Sequence, residues 1–197
     1  MQRINRAFQE MLRPARERLF HRRPEDIAEK TGAVFDGAAL RLRSLGRETF
    51  ASYPSFEPDP ALDEWSALLL LHYLDLADGT PVSAETVSFG DLRDGLIRGT
   101  KFDRAAEDAL GRFLDGKSPE QARKICEGLD ASFPSARADL CAVFHLFPNY
   151  PLTVKFWWAD DEFPASGKML VSASADHYLS IEDAVTAGEV LLNRLNL

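Results

Sequence analysis

Hydrophobic positions in this chain switch period along its length, and each switch marks an element. Residues 1–23, MQRINRAFQEMLRPARERLFHRR, repeat at helical spacing and place Ile4, Phe8, Met11, Leu12, Ala15 and Leu19 on one stripe. Pro14 is expected to break or kink that helix midway. A short helix is predicted from Pro24 to Lys30, ended by Gly32. The period then becomes two. Val34-Phe35 and Ala39 to Leu45 alternate, with Leu40 and Leu42 on one face and Arg41 and Arg43 on the other. A turn at Gly46-Arg47 and a return from Thr49 to Tyr53 complete a predicted hairpin. Residues 54–60, PSFEPDP, form a proline-punctuated connection.

The helical period resumes from about Pro60 to Ala77, started by Asp59 or Pro60 and stopped by Gly79 and Pro81. Leu62, Trp65, Leu69, His72, Tyr73 and Leu76 share one side, and Leu68 and Leu71 widen the arc. A helix apolar over most of its circumference belongs at the centre of a core. Two or three shorter helices follow: Phe102 to Leu114 carries Phe102, Ala106, Ala109 and Phe113 in step, and Ser118-Pro119-Glu120-Gln121 starts another with a capping box. From Ala138 the period is again two. Leu140 to Phe147 is almost wholly apolar, Pro148 to Pro151 turns, and Leu152, Val154, Phe156 and Trp158 alternate with Thr153, Lys155 and Trp157, so 152–158 should pair antiparallel with 140–147. Lys168 to Ser172 supplies a third strand. Ser180 to Asp183 is a second capping box, opening a helix with Ile181, Ala184, Val185, Gly188, Leu191, Leu192 and Leu195 inward. Strands at both ends with helices between predict an α+β fold, a mostly antiparallel sheet packed on a central buried helix with flanking helices.

Length and charge narrow the class. At 197 residues, 45% hydrophobic and 27% charged, residues 1–197 suit a single domain with one core. The formal charge of −8 argues against general nucleic-acid binding. That charge is uneven, since residues 1–23 hold seven arginines against two glutamates, net +5, leaving −13 on the other 174. The basic helix should therefore dock on an acidic face of the same chain or of a neighbouring copy, or on a protein partner. An Arg-rich amphipathic start is also the pattern of a transit peptide, but no apolar core segment or small-residue cleavage site follows it to make a secretory signal. The longest apolar run, Ala67 to Leu71, is too short to span a bilayer, so the expectation is a soluble cytoplasmic protein. Cys126 and Cys141 lie 15 residues apart outside any Cys-x-x-Cys and read as buried thiols, so no iron–sulfur cluster is held by this chain alone.

The segments Glu64-Trp65 with Leu68 to Tyr73, Phe89-Gly90-Asp91-Leu92, Trp158-Ala159-Asp160-Asp161-Glu162-Phe163-Pro164, Ser174-Ala175-Asp176 and Ile181 to Ala184 resemble a domain-of-unknown-function family numbered 3786. The resemblance covers roughly residues 60–197, and the Trp…Asp-Glu-Phe-Pro block is its most specific part. It implies occurrence mainly in anaerobic bacteria and archaea, with some members beside or fused to iron–sulfur modules; here such a centre would lie on a partner. It implies no activity.

Residues 151–183 hold the densest chemistry, and apolar walls with a few placed heteroatoms are what a ligand pocket requires. Adjacent Asp160, Asp161 and Glu162 repel one another unless a cation or water separates them, and alternation would aim Asp160 and Glu162 to one side. His72 on the central helix and His177 beside Asp176 are the matching imidazoles, so His72, Asp160, Glu162 and His177 form the candidate metal set. Each also has a plain structural account: a solvated acidic turn, a core histidine, a helix-capping histidine. His145, inside an apolar strand, reads as structural. Trp157 and Trp158 should point to opposite faces of a strand, one into the core, and with Tyr73 they are the candidate walls for a flat cofactor. No nucleotide-binding loop or serine-nucleophile elbow occurs. Two functions follow: a non-catalytic accessory protein of anaerobic metabolism that binds a small ligand, a divalent metal or a flat tetrapyrrole or corrinoid, or else a small metal-dependent hydrolytic enzyme.

Overall fold

Three helices and a three-stranded sheet build the N-terminal part of the fold. The computed structural model describes residues 6–196. Helix α1 (Arg6–Phe20) runs through Pro14 without interruption. The missing proline N–H removes one backbone bond, and burial of Leu12, Ala15 and Leu19 against helix α3 holds the helix together. Its stripe is narrower than the sequence suggests: Phe8 packs at the margin, Met11 is 47% exposed, and Ile4 lies outside the described residues. Helix α2 (Pro24–Thr31) ends at Gly32, whose φ of 70° lies in the left-handed region that glycine tolerates best.

Strands β1 (Val34–Phe35), β2 (Ala39–Ser44) and β3 (Arg47–Ser52) form an antiparallel sheet. The turn falls on Leu45-Gly46 rather than Gly46-Arg47, because Arg47 already pairs with Ser44. Both turn residues have positive φ, 47° and 78°, the combination whose twist matches a two-residue hairpin. Helix α3 (Glu64–Leu76) starts four residues later than the prolines suggest. Asp63 caps it by accepting the Ser66 N–H at 2.9 Å, while Pro58 and Asp59 are tied to β3 by a bridge to Ala51 and a bond to the Phe50 carbonyl. Its buried arc is Ala67 to Leu71 with Tyr73 and Leu74; Trp65 and Leu76, assigned inward by the sequence, are 55% and 42% exposed. Helices α1 and α6 are the main packing partners of α3, so its central position is set mainly by helices.

Strand β4 (Thr86–Val87) leads through a 3₁₀ turn at Phe89–Asp91 into α4 (Gly95–Leu114), one long helix instead of a shorter one from Phe102. Gly95 and Gly99 allow its first turns to lie against the Phe89 carbonyl, where an added Cβ would sit only 2.2 and 2.1 Å away. Helix α5 (Pro119–Glu127) has the predicted reciprocal capping box between Ser118 and Gln121.

Strands β5 (Leu140–Phe147), β6 (Tyr150–Trp157) and β7 (Ser166–Ser172) join β4 in a second antiparallel sheet of order β4-β7-β6-β5. Leu140 pairs with Phe156 and Phe144 with Leu152, as the alternation requires. The inward face (Ala142, Phe144, Leu152, Val154, Phe156, Met169, Val171) is covered mainly by α4, which lies along β7 and sets Phe113 against Phe156. Helix α6 (Ile181–Arg194) closes the chain against α3 and α4. The fold is α+β with a buried central helix, its strands shared between two antiparallel sheets and its buried side chains forming one cluster from Leu12 to Leu195. Both cysteines are buried and free. Among the described residues, no helix is long and apolar enough to cross a membrane.

Candidate functional site

The four residues assigned to a metal have separate partners. His72 leaves α3 towards α6, where its Nδ1 lies 2.7 Å from Asp183 Oδ1, and Ser180 Oγ donates to the other carboxylate oxygen at 2.6 Å. Burial pushes the Asp183 carboxyl up, but the hydrogen bonds from His72 and Ser180 and the attraction of His72 outweigh it, and its pKa is lowered. Only half of the expected capping box forms: Ser180 Oγ accepts the Asp183 N–H, while the Asp183 carboxylate serves His72 instead of the Ser180 N–H.

His177, on a 3₁₀ turn (Ala175–His177), has Nδ1 2.8 Å from Asp78 Oδ2 and 3.1 Å from Thr80 Oγ1. The His177 bond holds the Asp78 carboxyl down, to about 2. Asp160 folds its own turn, Oδ1 accepting the N–H groups of Phe163 and Glu162 at 2.7 and 2.9 Å, which lower its pKa. Glu162 is exposed. No group of three His, Cys, Asp or Glu side chains among the described residues is placed to hold a metal ion, so the proposed set is not brought together. The physical reason is the covering of the second sheet. Helix α4, and not α3, lies along it, which turns His72 towards α6 instead of the 160–163 turn.

Tyr73 is also unavailable as a cofactor wall. Its ring stacks between Phe147 (centroids 4.5 Å apart) and Tyr178 (5.9 Å) with no exposed surface. Its hydroxyl donates to the Thr31 carbonyl at 2.7 Å and accepts the Asn149 N–H at 3.1 Å, joining α2, α3 and the β5–β6 turn. Burial raises its pKa strongly.

The two tryptophans do meet at one site. Strand β6 ends at Trp157, so Trp158 lies beyond the pleat and the expected opposite-face alternation does not reach it. The Trp158 backbone N–H donates to Asp139 Oδ2 at 2.8 Å and its indole N–H to the Lys117 carbonyl at 2.8 Å, which fixes its ring near Phe156. Trp157 remains half-buried at the end of the β6–β7 ladder, opposite Ser166. Together with Asp139, Asp160, Phe163 and Pro164 they line a cleft of about 460 Å³. Phe163 is 66% exposed on its rim. Asp139 carries no local motif that marks it as a site residue, and the only local signal at Phe163 is its place directly after the acidic block.

A larger cleft, about 610 Å³, lies between the first sheet and β5 and includes Val34, Leu42, Arg43, His145 and Pro148. His145 is exposed there, not enclosed by its strand. The charges of this cleft are matched internally, Arg41 with Asp36 and Glu48 and Arg43 with Asp130.

A family model described as a domain of unknown function, DUF3786, matches residues 23–194, a longer stretch than the residue resemblance covers. Comparison with curated proteins and with solved structures finds no match.

Proposed function

The chain belongs to the DUF3786 family of unknown function, and from that premise we propose that it is a non-catalytic binding protein whose ligand occupies the Trp157–Trp158 cleft. The observation that carries the reading is the convergence of two indoles and the exposed Phe163 ring in a cleft of about 460 Å³. That volume falls within the roughly 300–1,000 Å³ range of small-molecule sites, and mostly apolar walls with few polar groups are their usual lining. The rings are placed by rigid elements: Trp157 by the β6–β7 ladder and Trp158 by two hydrogen bonds to separate segments. A preorganised site of this kind loses little entropy on binding. The alternative of a metal-dependent hydrolase gains no support, because neither the His72–Asp183 pair nor the His177–Asp78 pair has a third ligand among the described residues.

The test is a thermal-shift panel of flat and apolar small molecules against the full chain and a Trp157→Leu variant. The expected outcome is a concentration-dependent rise in melting temperature that the variant loses. A rise of equal size in both proteins would place binding elsewhere, and no rise across the panel would overturn the reading.

A further inference from the structure

Aromatic faces and unneutralised carboxylates share the Trp157–Trp158 cleft, and their combination selects the charge of a ligand. The π-face of an indole or phenyl ring is its negative side, so each ring attracts a cation placed over it. Asp139 and Asp160 stand in the lining, with Asp161 and Glu162 following on the same exposed turn. None of these four carboxylates pairs with a Lys or Arg among the described residues. Three lysines near the cleft are turned elsewhere. Lys117 directs its ammonium at the Phe113 carbonyl and ring, and Lys155 and Lys168 oppose one another across β6 and β7 outside the cleft.

An anion would meet these carboxylates with no counterion, and a neutral ligand would gain stacking alone. A primary ammonium is a compact, strongly hydrated charge, so it loses more hydration than a methylated one when it is set against ring faces. A methylated ammonium has no N–H to satisfy and spreads its charge over a surface that suits aromatic faces. We infer that the cleft binds a small organic cation bearing a quaternary ammonium group, an assignment that rests on the binding reading above.

The experiment compares choline with 3,3-dimethylbutan-1-ol, which has the same shape without the charge. Tryptophan emission is followed in a Trp65→Phe background, since Trp65 is exposed on α3 and away from the cleft lining. Choline is expected to change the emission saturably, with a Kd about tenfold tighter than that of the neutral isostere. Added salt should weaken choline and leave the alcohol unchanged. The Phe163→Ala variant, which removes an exposed ring, should keep its melting temperature and bind choline about threefold or more weakly. Equal affinity for both probes overturns the cation assignment while the cleft remains a binding site. If choline is silent and a neutral panel compound shifts the melting temperature through Trp157, the assignment also falls and the binding reading stands. Silence of every compound removes both.

Discussion

Tyr73 and Tyr150 are both fully buried, but their hydroxyls stand in opposite situations. The Tyr73 hydroxyl has a donor and an acceptor partner, whereas the Tyr150 hydroxyl has no hydrogen-bond partner among the described residues. Removing a satisfied buried hydroxyl orphans its partners at about 1–3 kcal/mol, while removing an unsatisfied one relieves a desolvation penalty. The prediction is that Tyr73→Phe lowers stability by about that amount and Tyr150→Phe leaves it unchanged or raises it. Urea denaturation of the two variants decides; a clear loss in Tyr150→Phe would mean that its hydroxyl has a partner. Asp183 gives a pH signature at the same scale. Its folded pKa is depressed, so its contribution is present above the ordinary carboxylate range and is lost as pH falls through the folded value. Wild type should therefore lose stability below about pH 4. Asp183→Asn should be less stable near neutrality by about 1–3 kcal/mol and fall less steeply towards low pH, as read by melting temperature from pH 7 to pH 3. Parallel curves would show that Asp183 carries no such linkage.

At the scale of elements, the α4–α6 contact depends on a missing side chain. A Cβ on Gly188 would lie 2.3 Å from the Phe102 ring, and Phe102 is itself buried with its ring against Phe89. The ring has no free space to yield, so Gly188→Ala should destabilise by about 1–3 kcal/mol despite alanine's better helix propensity. A stabilised variant in urea would show that the two helices can move apart without loss. The caps and turns show how much of such elements the sequence discloses. Ser118 with Gln121, Gly32, and the pairing of 140–147 with the following strand were legible because each depends on residues close together in the chain. The start of α3 was not, because Asp59 is held by β3 and the capping role passes to Asp63.

Over the whole molecule, α1 lies outside the segment matched by the family and yet packs into the core. Opposite charge predicts its docking, and the structure supplies the pairs: Arg16 with Glu57, Arg18 with Asp75, and Arg22 with the Asp75 carbonyl. A surface pair such as Arg16 with Glu57 contributes about 0–1 kcal/mol, and the attraction of Arg18 is offset by desolvation of the Asp75 carboxylate, which is only 4% exposed. Fully burying a leucine, by contrast, contributes about 1.5–3 kcal/mol, and both Leu12 and Leu19 are fully buried. Apolar packing therefore decides. Raising salt to 1 M should leave α1 docked, while Leu12→Ala should cost about 2–5 kcal/mol and lower the melting temperature. Loss of docking in salt, seen as faster proteolysis after Arg22 or Arg23, would reverse that ranking.

By itself the sequence determined the class of the longer elements and roughly the face each buries, with Met11, Trp65 and Leu76 as exceptions. Period, caps and turn residues act over one helical turn or one strand pair, and they led to α+β and to the buried central helix. Tertiary structure alone decided what covers each face. A stripe of leucines states that α3 must be buried, but it does not distinguish a sheet from the helices α1 and α6 that cover it. That choice sent His72 to Asp183, left Asp160 to shape its own turn, and brought Trp157, Trp158 and Phe163 to one cleft. The physical reason is that hydrophobic burial is strong and non-directional, while hydrogen bonds and ring contacts are short-ranged and form only between groups that burial has already brought together.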